Sequence, residues 1–170
     1  DGQMLVLDPE TANAAPEIDF LNLHGFFDAM TLMYRVTTRL AATCHRPADL
    51  GAIRRHQDRF AAALAAQDDL AMIASNRDFH AAIAQAGRNP YYTSLFLRIL
   101  DEGRRLLRLY YQSFDDRLPP EIVQEHEDII AAITARDVDL CDRLGKAHAD
   151  QIIRQIQHFL ARDERQPITL

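Results

Sequence analysis

Residues 76–92 read NRDFHAAIAQAGRNPYY and place the end of one helix directly before the start of another. The first part is rich in alanine and carries apolar residues at helical spacing as far as Gly87, a residue type that commonly follows the last turn of a helix. Asn89 then precedes Pro90. An asparagine side chain can cap the free amides of a first turn, and proline suits the first helical position. The stretch therefore predicts two consecutive helices joined by a tight turn.

The same kinds of signal, apolar residues at helical spacing and residues that start or end helices, predict helix along nearly all of the chain after Pro16. Glycine is scarce, with six in 170 residues, and no strand pattern appears after residue 10. We expect an all-α fold, an antiparallel bundle of about six helices with an internal ligand or metal pocket, over residues 17–165. Residues 1–16 are predicted to be a linker or the remnant of a preceding domain. The expected helices span about 18–45, 48–66, 68–86, 90–113, 120–135 and 137–163.

The composition narrows the class of protein. The net charge of −6 argues against DNA binding by these residues themselves, because DNA affinity depends on Lys and Arg that neutralise phosphates. The chain shows neither a long apolar run nor a signal-peptide pattern, which predicts a cytoplasmic protein. Cys44 and Cys141 are far apart and are interpreted as reduced thiols.

Three histidines lie close to the apolar stripes of their predicted helices. His80 follows Asn76 by four residues, so both side chains share one helix face, while His126 and His148 lie on the last two helices. Buried imidazoles need partners. Two interpretations are open: the three share a divalent metal with open positions for water or substrate, or each is a separately hydrogen-bonded core residue.

Four segments carry a resemblance to a known family: RLAATCHRPADL (39–50), NRDFHAAIAQAGRNPYY (76–92), EHEDIIAAITARD (125–137) and LCDRLGKAHADQI (140–152). Together they resemble the FCD family, the effector domains of the FadR subfamily of GntR-type transcription regulators, in whose order they occur over roughly residues 18–160. In that family an aspartate four residues before the first histidine and three histidines hold a metal beneath an effector pocket. The resemblance implies that the ligands here are Asn76, His80, His126 and His148. Because imidazole suits zinc and nickel better than magnesium or calcium, we expect zinc or nickel.

The chain departs from the family pattern at two places. Asn76 replaces the aspartate and brings no negative charge, which should weaken metal binding. On the first helix, Met30 and Tyr34 occupy the positions of the family's arginine and glutamate. An effector carboxylate is therefore expected to meet an arginine of the fourth helix, Arg104 or Arg108.

These observations favour a sensing and dimerisation domain, with no catalytic residues, that binds a small organic acid and controls a winged helix-turn-helix domain missing from this chain. The homodimer is expected because residues 95–100, LFLRIL, hold more apolar side chains than one packing seam needs. The alternatives are a helical metalloenzyme acting on a small metabolite, which would need an acid or base beside an open metal position, and a purely structural module with incidental histidines.

Overall fold

The computed structural model describes residues 22–114 and 118–163, and within them the chain is entirely helical. The predicted all-α bundle is confirmed, with seven helices in place of about six. The predicted linker, residues 1–16, lies outside the described residues. The helices are α1 (Leu23–Cys44), α2 (Pro47–Ala66), α3 (Asp69–Ala86), α4 (Pro90–Glu102), α5 (Arg104–Gln112), α6 (Glu121–Thr134) and α7 (Val138–Asp163).

The start signal at Asn89-Pro90 acts as the sequence predicts. The Asn89 side-chain oxygen accepts hydrogen bonds from the amides of Tyr91 at 3.1 Å and Tyr92 at 3.2 Å. Asp68 caps α3 in the same way through the amide of Ala71. Both caps satisfy amides that the first turn of a helix leaves without partners.

The predicted fourth helix, 90–113, is divided at Gly103 into α4 and α5. The break is slight, because Gly103 donates to the Ile99 carbonyl at 2.8 Å and accepts from the amide of Leu107 at 2.9 Å. A Cβ at this position would stand 2.9 Å from the Ile99 carbonyl oxygen and 3.3 Å from Cζ of Phe26. The glycine therefore lets the Phe26 ring of α1 lie against the backbone of the junction.

The core is a bundle interior in which α1 packs along α7 and α2 along α3. Its largest fully buried side chains include Phe60, Phe79 and Phe96. Both cysteines are free thiols, Cys141 buried and Cys44 partly so. No helix in the described ranges combines the length and apolar character needed to cross a bilayer.

Gly145 allows α1 and α7 to approach closely. A Cβ there would lie 2.9 Å from the carbonyl oxygen of Tyr34 and 3.2 Å from Cα of Arg35. One helical turn away, Arg35 forms a two-pronged ion pair with Asp142, with nitrogen–oxygen distances of 3.1 and 2.8 Å. This contact fixes how far α1 and α7 are shifted along each other, and so the position at which Tyr34 meets His148.

The turn between α6 and α7 is tied to the end of α1. Arg136, in the left-handed region with φ of 56°, donates to the carbonyls of Ala42, Thr43 and His45 at 2.9–3.0 Å. The carbonyls at the end of a helix lack partners within the helix. One side chain therefore both caps α1 and orients the α6–α7 pair.

We expect Gly145→Ala to lower the free energy of unfolding by about 1–3 kcal/mol, the usual cost of overpacking, because the added methyl meets rigid backbone of α1. Urea unfolding followed by circular dichroism measures the change. Gly25→Ala is the control, since nothing lies within 4 Å of a Cβ at Gly25, and it should leave stability unchanged or raise it by about 0.5–1 kcal/mol. Equal effects of the two substitutions would contradict the proposed close contact.

Candidate metal centre and adjoining cavity

Three helices bring the predicted histidines together in the middle of the bundle. His80 comes from α3, His126 from α6 and His148 from α7, and all three are buried, with exposures of 1%, 0% and 5%. One ring nitrogen of each lies within 4.8 Å of the other two. Their ring centroids are 5.1–5.2 Å apart. The cluster is compact and has the donor set of a metal site.

Two of the imidazoles are oriented by hydrogen bonds at their Nδ1 atoms. His126 Nδ1 lies 2.8 Å from Oε1 of Gln57, and the Nε2 of that amide donates to the Val123 carbonyl at 3.1 Å. The Gln57 oxygen must therefore accept, so His126 donates from Nδ1. His148 Nδ1 likewise donates to the Glu125 carboxylate at 3.0 Å. The neutral tautomer that makes this bond carries its lone pair on Nε2.

The three Nε2 atoms are the unsatisfied groups of this centre. Those of His80, His126 and His148 are buried and have no hydrogen-bond partner among the described residues. A buried polar atom without a partner costs about 1–3 kcal/mol. One cation can be shared by three ring nitrogens this close together, whereas a single hydrogen-bond donor would satisfy only one of them. The residues present therefore fit a divalent metal.

The spacing of the nitrogens is slightly wide for a bound ion. Because the three nitrogens lie within 4.8 Å of one another, they have a central point at most about 2.8 Å from each, whereas zinc–imidazole bonds are about 2.0–2.1 Å long. The rings would need to move inward by less than about 1 Å. That adjustment is within the reach of side-chain torsions, so the geometry is compatible with coordination.

Aromatic rings surround the cluster and shield it from solvent. Phe79 stacks on His126 with centroids 4.2 Å apart, and Phe60 lies 4.9 Å from the same ring. Tyr34 meets His80 edge-on at 4.8 Å. Burial holds the pKa of His80 and of His126 well below 6.5, with the neighbouring imidazoles adding to the effect. Both rings are therefore neutral near pH 7, the state that a metal requires.

Asn76 lies one turn before His80 on α3 and is also buried. Its amide makes no hydrogen bond to the described residues, and its side chain lines a cavity beside the histidines. An amide oxygen here is available as a ligand. Asp78, by contrast, is half exposed and contacts Arg77.

The cavity lies between the histidine cluster and the α4–α5 junction. Tyr34 and Asn76 form its wall on the histidine side, and its centre leaves about 30 Å³, room for one or two water molecules. Its wall is mainly apolar. The lining residues are Phe26, Met30, Tyr34, Ile73, Asn76, Arg77, Ile99, Leu100, Gly103, Arg104, Leu106, Leu107, Ile152 and Ile156.

Of the two arginines predicted to bind an effector, Arg104 lines the cavity and Arg108 does not. Arg108 is exposed. Arg104 donates through one nitrogen to Asp101 at 3.0 Å. A second arginine of the wall, Arg77, holds Asp101 through two nitrogens at 2.7 and 3.0 Å, and together they hold the pKa of Asp101 below its usual range.

Three functional contacts were not predicted from the sequence: Gln57, Glu125 and the Arg77–Asp101 pair. A signal existed for Gln57, since it is a polar residue in the apolar stripe of α2, four residues after Ile53 and three before Phe60. Glu125 adjoins His126 in sequence but serves His148 across the α6–α7 interface, which only the packing reveals.

Known proteins show the same domain. The FCD domain matches residues 26–151. Among solved structures, Escherichia coli McbR/YncC superposes with a TM-score of 0.75 at 19% identity, covering 84% of this chain and 71% of that one. That likeness shows the shared fold. A search of curated proteins finds no match.

The matched segment takes in most of α1, all of α2 to α6 and about half of α7, with all three histidines. It spans about three quarters of the 170 residues. The chain therefore belongs to the FCD family, the helical effector domains of GntR-type transcription regulators.

Proposed function

We propose that this chain is a metal-containing sensing domain that binds a small organic acid, forms a homodimer and controls a winged helix-turn-helix domain located outside these 170 residues. The observation that carries the proposal is the set of three buried Nε2 atoms that face one another without hydrogen-bond partners. Structural histidines in a core are paired one by one. Two of these three are held at Nδ1, His126 by Gln57 and His148 by Glu125, as metal ligands commonly are.

The metal is zinc or nickel, held by His80, His126, His148 and the amide of Asn76. Imidazole favours these ions over magnesium or calcium. A bound ion would supply an electrophilic centre whose remaining positions accept water or a carboxylate. Because all four protein ligands are neutral, an anionic ligand would restore the charge balance that the family's aspartate otherwise supplies.

The acid binds in the cavity beside Tyr34 and Asn76, with Arg104 as the partner of its carboxylate. Arg104 is the one of the two predicted arginines that lines the cavity. It uses a single nitrogen on Asp101, so its other donors remain for a ligand.

The net charge of −6 opposes DNA binding by this domain, so DNA contact falls to the other domain. A regulator of this kind acts in the cytoplasm.

The metalloenzyme alternative has less support. It would need an acid or base next to the open metal position. Glu125 is the carboxylate bonded to the cluster, and it contacts Nδ1 of His148, on the side of the ring away from Nε2. Its hydrogen bond orients the ring and does not place it beside a substrate.

A surface patch on α1 and α4 supports the homodimer. Leu32 and Tyr92 line one surface groove, and Leu95, three residues after Tyr92, is 52% exposed. Apolar side chains grouped in this way commonly mark an interface.

We expect protein stripped with a chelator to bind one Zn²⁺ or Ni²⁺ per chain in isothermal titration calorimetry. His126→Ala should abolish binding, and Gln57→Leu should weaken it about 10- to 100-fold, the usual effect of losing such an outer partner. Gln112→Leu, the same change at an exposed residue of α5, is the control and should change nothing.

Metal affinity should also fall once the pH approaches the depressed pKa values of His80 and His126, well below 6.5, because protons then compete for the ring nitrogens. The metal-free fold should lose stability in the same direction. The pKa of His80 and of His126 is depressed by burial, so the unfolded chain binds more protons than the folded one. Undiminished metal binding by His126→Ala would refute the site.

We expect Arg104→Ala to weaken binding of the acid by roughly 10-fold or more, since a hydrogen bond to a charged group contributes about 1.5–3 kcal/mol. The ligand can be found by thermal-shift screening of organic acids and its affinity measured by calorimetry. Arg108→Ala, exposed and outside the cavity wall, is the control and should stay within about threefold. If both variants bind like the wild type, Arg104 is not the carboxylate partner.

We expect the purified chain to have twice its monomer mass of 19.4 kDa in light scattering at tens of micromolar, a range in which interfaces of standard size hold. Leu32→Glu with Leu95→Glu should give monomers, because charges would be buried in the patch. Leu70→Glu is the control: Leu70 is 74% exposed but lies on α3. A monomeric wild type would refute the dimer.

A further inference from the structure

We propose that the ligand of the cavity is a monocarboxylic acid with an apolar body, of the size of a short alkanoate, and not a hydroxylated or dicarboxylic acid. The inference rests on the proposed function and names the chemical class of its ligand. Two independent features carry it: the composition of the wall and the number of hydrogen-bond donors left free in it.

The wall offers a ligand almost only hydrocarbon. Every helix that reaches the cavity contributes aliphatic or aromatic groups: Phe26 and Met30 from α1, Ile73 from α3, Ile99 and Leu100 from α4, Leu106 and Leu107 from α5, and Ile152 and Ile156 from α7. A methylene placed here gains about fourfold in affinity. A hydroxyl placed here loses its water and finds no partner on these surfaces, which opposes binding.

Four polar side chains line the cavity, and most of their capacity is used. Arg77 bonds to Asp101 through two nitrogens and approaches Asp78 at 3.5 Å with its third. Tyr34 and Asn76 stand on the histidine side, Tyr34 in edge contact with two of the imidazoles. Arg104 alone combines a place in the wall with a guanidinium that makes a single printed contact, to Asp101.

The local charges lead to the same conclusion. Arg77 and Arg104 face Asp101 and Asp78, so the two positive and two negative charges of this rim cancel. None of the three histidines is part of the wall, and a ligand reaches a metal there only past Tyr34 and Asn76. One carboxylate meets Arg104, and a second would be desolvated against hydrocarbon without a partner.

Met30 is the residue at which this preference can be reversed. It is nearly buried and belongs to the wall, opposite no acidic group of the rim. Its unbranched thioether adapts to the shape of a neighbour, which matters because the free space of about 30 Å³ admits a six-carbon chain only if wall side chains shift. An arginine in its place would give a second carboxylate a partner.

The experiment compares three acids with six carbons each, hexanoate, adipate and gluconate, by calorimetry on the zinc-loaded full chain. Hexanoate should bind at least about tenfold tighter than either of the others, since each desolvated polar group without a partner opposes binding. Affinity should rise from acetate through butyrate to hexanoate, on the order of fourfold per methylene. Met30→Arg should shift the adipate-to-hexanoate ratio at least tenfold toward adipate, while Met30→Leu, similar in volume, should keep the wild-type order.

The outcomes separate the two proposals. Gluconate or adipate binding as tightly as hexanoate in the wild type overturns the apolar class while leaving an organic-acid sensor in place. Hexanol binding as tightly as hexanoate removes the carboxylate from the proposed function while the apolar body stands. Binding of none of these overturns both. If Met30→Arg does not fold, as judged by circular dichroism, the wild-type comparison and the chain-length series decide.

Discussion

The bundle brings one ring nitrogen from each of three buried histidines within 4.8 Å of the other two. Because the rings come from α3, α6 and α7, the cluster depends on how these three helices are held against one another. Arg136 fastens the α6–α7 turn to the end of α1, and Gly145 lets α7 come down onto α1. Neither residue touches the histidines, yet together they fix the positions of two of the three rings.

Of the two side chains that hold the histidines at Nδ1, one is neutral and the other is a carboxylate. His126 is held by an amide that is itself fixed by a backbone carbonyl, while His148 is held by a half-buried carboxylate. A carboxylate at Nδ1 makes an imidazole a stronger donor to a metal. Asn76 brings no negative charge to the cluster, but Glu125 does, through its hydrogen bond to His148.

Much of this fold could be predicted from local signals. Asn89-Pro90, Gly87 and the spacing of Asn76 and His80 are contained within single helices or turns, where periodicity and capping rules apply directly. The division at Gly103 escaped prediction because the hydrogen-bond ladder runs almost unbroken through it, so the sequence there still has a helical period. The contacts of Gln57 and Glu125 and the Arg77–Asp101 pair join residues 23–69 positions apart in the sequence. Such pairings depend on how the helices pack, which the periodicity of a single helix does not reveal. Met30 and Tyr34 were located by the resemblance, and the structure adds that both face the cavity.

The burial of the histidines also governs how fast a metal could be exchanged. The rings are covered on their outer sides by Phe60, Phe79 and the helix backbones, and the cavity reaches them only at Tyr34 and Asn76. Any ion that enters or leaves without unfolding the bundle must use the same passage as the cavity's ligand. A ligand bound there would block this passage, so that a bound ion could leave only after the ligand had dissociated.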